Sequence, residues 1–145
     1  MRLRLAALVG ALFITSSCVA ASPDADTYGD AAASSLGTAV SEVATVRTLL
    51  ELLDSGDIPR PAVVAQLRYS EDALTKASQG LGSLNPPPEQ DALSDESGRL
   101  LDEAGSLLQE ARIAVHRGEK AEYRTIVKDL DDLGARLEKL EASAS

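Results

Sequence analysis

One cysteine, one histidine, one methionine, one phenylalanine and no tryptophan occur in 145 residues. Each scarcity removes a class of chemistry. A single cysteine, Cys18, cannot close an internal disulfide, so no cross-link staples the fold. Haem needs axial His, Met or Cys, and no C-x-x-C-H attachment motif is present. A di-iron carboxylate site needs Glu-x-x-His twice, and the pattern does not occur once. Zinc needs three or four ligands, and soft donors are too few. There is no G-x-S-x-G elbow to mount a nucleophile and no glycine-rich phosphate loop. The expectation is a protein without cofactor, metal or catalytic residue.

Aromatic residues make up 3% of the chain. The apolar content is mostly leucine, valine and alanine, which favours helix packed on helix over a sheet of aromatic and β-branched residues. Basic residues number 14 against 23 acidic ones, for a net charge of −9. A surface of that sign repels phosphate backbones and anionic head groups, so no nucleic-acid partner is expected. At 44% hydrophobic and 26% charged, the remainder is ordinary globular composition.

The N-terminal stretch reads "MRLRLAALVGALFITSSCVAAS". Arg2 and Arg4 precede an apolar run over residues 5–14, and small residues follow. That is the three-part layout of an export signal. Ten apolar residues are too few to cross a hydrocarbon core of roughly 30 Å. The segment before Cys18 resembles a bacterial lipobox. Ser16 and Ser17 fit it, and Thr15 stands where that pattern prefers leucine. The resemblance implies a signal over residues 1–17 and diacylglycerol on Cys18. Ordinary signal-peptidase cleavage after Ala20 or Ala21 is the alternative, with a signal of 1–20 or 1–21 and a soluble secreted product. Cleavage before Cys18 removes two basic residues and no acidic one, which leaves 128 residues and a net charge of −11.

Residues 18–29 read as a short tether and residues 30–145 as the folded part. Four segments with helical period follow the tether. In the first, residues 30–54, Leu36, Ala39, Val43, Val46, Leu50 and Leu53 recur at alternating spacings of three and four, with Val40 and Leu49 beside them. Gly56 and Pro59 end it. The second, residues 61–84, carries Val63, Leu67, Leu74, Ala77, Leu81 and Leu84 on one face, interrupted by Ser70. Three consecutive prolines break the chain after Asn85. The third starts at Glu89 or Asp91 and runs to Arg117. Leu93, Leu100, Ala104, Leu107 and Ala111 line up, with Leu101, Leu108 and Val115 beside them. The fourth, residues 119–142, has the cleanest stripe, of Tyr123, Ile126, Leu130, Leu133, Leu137 and Leu140. On this fourth segment Asp132 and Arg136 stand four apart in the favourable order for an ion pair. Short connections predict an all-α, antiparallel up-down four-helix bundle after a cleaved N-terminal signal. The runner-up is a three-helix bundle with a loosely attached first segment.

His116 reads as a residue of a helix C-terminus interacting with the dipole rather than as an acid–base group. The acidic run of Glu89, Asp91, Asp95, Glu96, Asp102 and Glu103 lacks the every-second-residue spacing of a calcium loop and reads as a solvated helix face. Tyr123 falls on an apolar stripe and reads as core. Tyr69 is adjacent to a stripe, and Tyr28 precedes the first helix.

Four stretches, "LGTAVSEVATVRTLLELL", "RPAVVAQLRYSEDALTKA", "SLNPPP" and "ARIAVHRGE", resemble a group of small exported proteins of high-GC Gram-positive bacteria. The likeness covers residues 36–119. It implies export and a helical fold, and it carries over no activity and no binding residue. The function expected is non-enzymatic protein–protein contact by a bundle lipid-anchored to the outer face of the cytoplasmic membrane, with a protein partner of unknown identity. The second reading is a small-ligand or cation binder that uses the bundle core, with polar groups converging around Ser70 and Ser97, which interrupt two stripes, or its acidic face.

Overall fold

A computed structural model describes residues 23–144. The expected signal, Cys18 and the first part of the tether lie outside the described residues. The described residues form four helices: α1 (Ala25–Ser55), α2 (Arg60–Gly82), α3 (Asp91–Arg117) and α4 (Lys120–Ala144). A single 3-10 turn, Pro88–Gln90, leads into α3. No strand occurs among the described residues.

The helix ends follow local chemistry. Asp24 caps α1 by accepting a hydrogen bond from the Thr27 N–H at 2.8 Å, which satisfies one of the four orphan donors of a helix N-terminus. α1 therefore begins five residues before the position that its large apolar residues indicate, and residues 25–29 are helix rather than tether. Gly56 and Gly118 close α1 and α3 at φ of 86° and 74°, backbone angles that side chains other than glycine resist. The Gly56 N–H reaches the Leu52 and Leu53 carbonyls, and the Gly118 N–H reaches those of Ala114 and Val115. Pro61 sits in the first turn of α2, where its missing N–H costs nothing.

α1 packs against each of the other three helices, α3 also packs against α2 and α4, and the backbones of α2 and α4 do not approach each other closely. The α1 stripe is Ala32, Leu36, Ala39, Val43, Val46, Leu50 and Leu53, all buried. Its strict four-three alternation is the seam of coiled-coil-like packing. On α4 the buried set is Tyr123, Ile126, Leu130, Leu133 and Leu137, with Leu140 partly buried. On α3 the buried face is rotated from the expected one. Leu101, Leu108, Ala114 and Val115 are enclosed, whereas Leu93 and Leu107 are only partly buried. α3 has three helical neighbours, so its covered arc is wider than a single stripe and is centred where they meet. On α2 Ala77 is likewise only partly buried, and so is Leu84, which lies beyond the end of that helix at Gly82.

Tyr28 is the second correction to the reading of the N-terminus. It belongs to α1 and is buried, as is Tyr123. The two rings lie near opposite ends of the core. Tyr28 adjoins the contact of Gly29 with the end of α4, and Tyr123 adjoins Arg124, which pairs with Asp54 near the end of α1. Tyr69 is 67% exposed on α2. The Gln90 side chain donates to the Ala25 carbonyl at 3.2 Å and ties the α2–α3 connection to the start of α1.

α1 and α4 come close together at Gly29. A Cβ there would lie 2.6 Å from the Ala144 carbonyl oxygen. Gly29→Leu therefore lowers stability by about 1–3 kcal/mol through overpacking, although replacing a helical glycine otherwise gains up to about 1 kcal/mol. Gly105→Ala shows the opposite sign, because the nearest atom to its new methyl is Leu74 Cδ2 at 4.0 Å. Thermal unfolding of the two variants reads the difference. A Gly29→Leu protein at least as stable as the parent would remove the close approach as a constraint.

Candidate functional site

The two serines singled out in the sequence are both in the core. Ser70 and Ser97 are 0% exposed, and neither hydroxyl has a hydrogen-bond partner. They do not converge. Across the α2–α3 contact Leu74 faces Gly105, and Glu71 pairs with Arg112 on the Ser70 side of that level. Ser70 lies four residues to one side and Ser97 eight residues to the other. At 1.5 Å per residue they stand about 18 Å apart along the bundle. They form two isolated polar points and not one polar chamber.

A groove of ≈ 650 Å³ lies on the outside of the α2–α3 contact. Its α2 edge is Glu71, Thr75, Ser78 and Gln79. Its α3 edge is Asp102, Ser106, Gln109 and Arg112, and Leu74, Leu101 and Gly105 lie between. Both edges follow from the three-four spacing of one helix face. At one end Arg112 Nε donates to both Glu71 oxygens, at 2.8 and 3.1 Å. Thr75 and Ser106 donate their hydroxyl hydrogens to the Glu71 and Asp102 backbone carbonyls of their own helices, so they face the groove as acceptors. The Gln79 and Gln109 carboxamides and the Asp102 carboxylate have no partner among the described residues. A smaller groove of ≈ 310 Å³ lies between α1 and α4 beside Gly134, Arg47 and Asp131. Neither groove is legible in the sequence, because each depends on which residues of two distant helices lie level.

The acidic residues of α3 divide by partner. Asp91, Asp95 and Asp102 are exposed. Glu96 and Glu103 enter a network that links α3 to α4. Arg99 bonds Glu96 at 2.5 Å and Glu103 at 3.2 Å, and Arg136 of α4 makes a two-pronged contact with Glu103. The expected Asp132–Arg136 carboxylate pair does not form. Arg136 reaches only the Asp132 backbone carbonyl, at 3.4 Å, because its guanidinium is engaged across the helix interface. His116 is exposed in the last turn of α3, where the dipole argument puts it. Among the described residues no group of three or more His, Cys, Asp or Glu is placed to hold a metal ion, and no helix is long and apolar enough to cross a membrane.

The network shifts protonation. The hydrogen bond from Arg136 holds the Glu103 carboxyl below its ordinary value, against the opposing effect of desolvation. Arg99 does the same for Glu96, and the Thr27 hydrogen bonds do so for Asp24. Glu122 moves the other way, raised first by a hydrogen bond with Glu119. An unfolded glutamate titrates near about 4.3. The three depressed groups contribute stability that is present above their unfolded values and lost as pH falls through their lower folded values. Glu122 contributes stability below the unfolded value, and it is lost as pH rises through the raised one. Glu103→Gln is expected to flatten the acid limb of the stability profile below about pH 4.3 and to cost at most about 1 kcal/mol at neutral pH. Urea midpoints from pH 7 to pH 3 measure it. An acid limb identical to the parent's would mean that the network does not couple to folding.

No protein-family model, curated protein or solved structure matches this chain.

Proposed function

We propose that this protein is exported, is held by diacylglycerol on Cys18 at the outer face of the cytoplasmic membrane, and works without catalysis through protein–protein contact. The observation that carries the reading is where the polar chemistry lies. The apolar stripes are spent on one another, the core polar groups are two separate hydroxyls, and the convergent polar side chains line open grooves on the outside. An antiparallel up-down arrangement of the bundle is supported by three α1–α4 contacts. These are Gly29 with Ala144, Arg47 with Asp131, and Asp54 with Arg124.

The anchor and the bundle fit together physically. From Cys18 to the Asp24 cap the chain reaches at most about 20 Å. Asp24, Asp26, Asp30, Glu89, Asp91 and Asp95 all belong to the first turns of α1 or to the entry and first turns of α3, next to one another through the Gln90–Ala25 bond. An acidic end of this kind is repelled by anionic head groups, which supports a bundle that stands off the bilayer with its helix faces open to a partner. Intact mass of the membrane-associated protein tests the anchor. Cross-linking in native membranes tests the contact, and failure to recover any reproducible neighbour would sink it.

The alternative, an exported bundle that binds a small ligand or cation, is favoured by one observation, the unpartnered carboxamides and carboxylate in the α2–α3 groove. A thermal-shift panel of cations and metabolites addresses it, since a ligand of the folded state must raise the midpoint.

A further inference from the structure

We propose that the α2–α3 groove is the contact site, and that it takes an extended, lysine- or arginine-bearing peptide segment of the partner; this rests on the protein-contact reading above. From Asp102 to Arg112 the α3 edge spans ten residues, about 15 Å of helix. An extended chain advances about 3.3 Å per residue, so four or five residues fit along it. The two carboxamides, Gln79 and Gln109, each offer a donor and an acceptor, which is the complement of a peptide N–H and C=O. Thr75 and Ser106 add acceptors, their hydrogens being committed to their own helices. Leu74 and Leu101 supply an apolar strip between the edges.

Charge selects the sequence of the segment. Arg112 is neutralised by Glu71 at 2.8 Å. Asp102 is exposed and has no ion-pair partner among the described residues. The groove therefore carries one uncompensated negative charge at its Asp102 end. The rest of a strongly acidic surface adds long-range attraction for a cationic segment. Gly105 keeps the space open. Its Cα lies level with Leu74, and only the tip of that side chain would come as near as 4.0 Å to a methyl group at position 105. Any longer side chain there projects into the cleft.

The test uses the full mature protein in mild detergent and two fluorescent pentapeptides, Lys-Thr-Val-Lys-Ser and its counterpart with glutamate for lysine. Saturable binding is expected for the first and none for the second. Asp102→Asn weakens it by about threefold, the size of a solvent-exposed charge pair. Gly105→Leu weakens it by about tenfold or more by obstructing the cleft, while improving local helix propensity, so the variant folds. Gly134→Ala, in the other groove, leaves it unchanged. Equal binding of both peptides, no binding of either, or a lysine peptide indifferent to Gly105→Leu overturns the proposal. So does a small saccharide or metabolite whose binding, in place of the peptide's, is lost in Gly105→Leu. The two readings fail separately. A neighbour recovered by cross-linking alongside a blind groove removes only the groove, whereas silence in the membrane cross-linking removes the contact reading itself.

Discussion

Leu50→Ala is expected to remove about 3–4 kcal/mol of unfolding free energy, the usual result of truncating a leucine in a core that relaxes only partly. Leu50 is 0% exposed and lies on α1, which, like α3, touches all three other helices. Its loss costs both the transfer energy of the removed carbons and the contacts of the atoms around the void. Domains of this size have roughly 5–15 kcal/mol in total, so the variant forfeits about a fifth or more of its margin. Two residues further along the same helix, Leu52 is 38% exposed. Leu52→Ala should stay within about 0.5 kcal/mol of the parent. Urea unfolding of the pair, with the slope m unchanged, measures the contrast. Similar losses for both would mean that α1 does not present the face described above.

The double variant Ser70→Ala, Ser97→Ala is expected to gain about 2 kcal/mol or more. A buried hydroxyl without a partner carries an uncompensated desolvation cost of about 1–3 kcal/mol. Alanine removes that cost and also has the better helix propensity. Separation along the bundle makes the two gains add. The measurement is again denaturant unfolding, of each single variant and of the pair. Destabilisation by either alanine would show that its hydroxyl is engaged in solution, through a carbonyl one turn back or an internal water.

The stripes of α1 and α4 could be read directly. Leu36, Val43, Leu50, Leu130 and Leu137 announce a buried face because helical period converts spacing into direction without any knowledge of the neighbours. The start of α1 was less visible. From Ala25 to Ser35 the only large apolar side chain is Tyr28, and small residues signal a helix weakly. They become useful only where another helix comes close, as α4 does at Gly29. On α3, paired leucines at 100–101 and 107–108 offer two overlapping stripes of nearly equal quality. Only the arc covered by three neighbours decides that Leu108 is enclosed and Leu107 partly exposed.

The amino-acid sequence by itself determined the helices, their breaks at Gly56, at the three prolines and at Gly118, and most of the buried faces. These depend on residues within a turn or two of one another. The tertiary structure alone decided that Arg136 serves Glu103 rather than Asp132, that Arg112 meets Glu71, and that Gly105 opens a groove while Gly29 seats a neighbouring helix. Residues far apart in the chain become partners only once two helices settle at a particular height against each other. That height is set by side-chain interlocking along the whole contact, so no single residue records it.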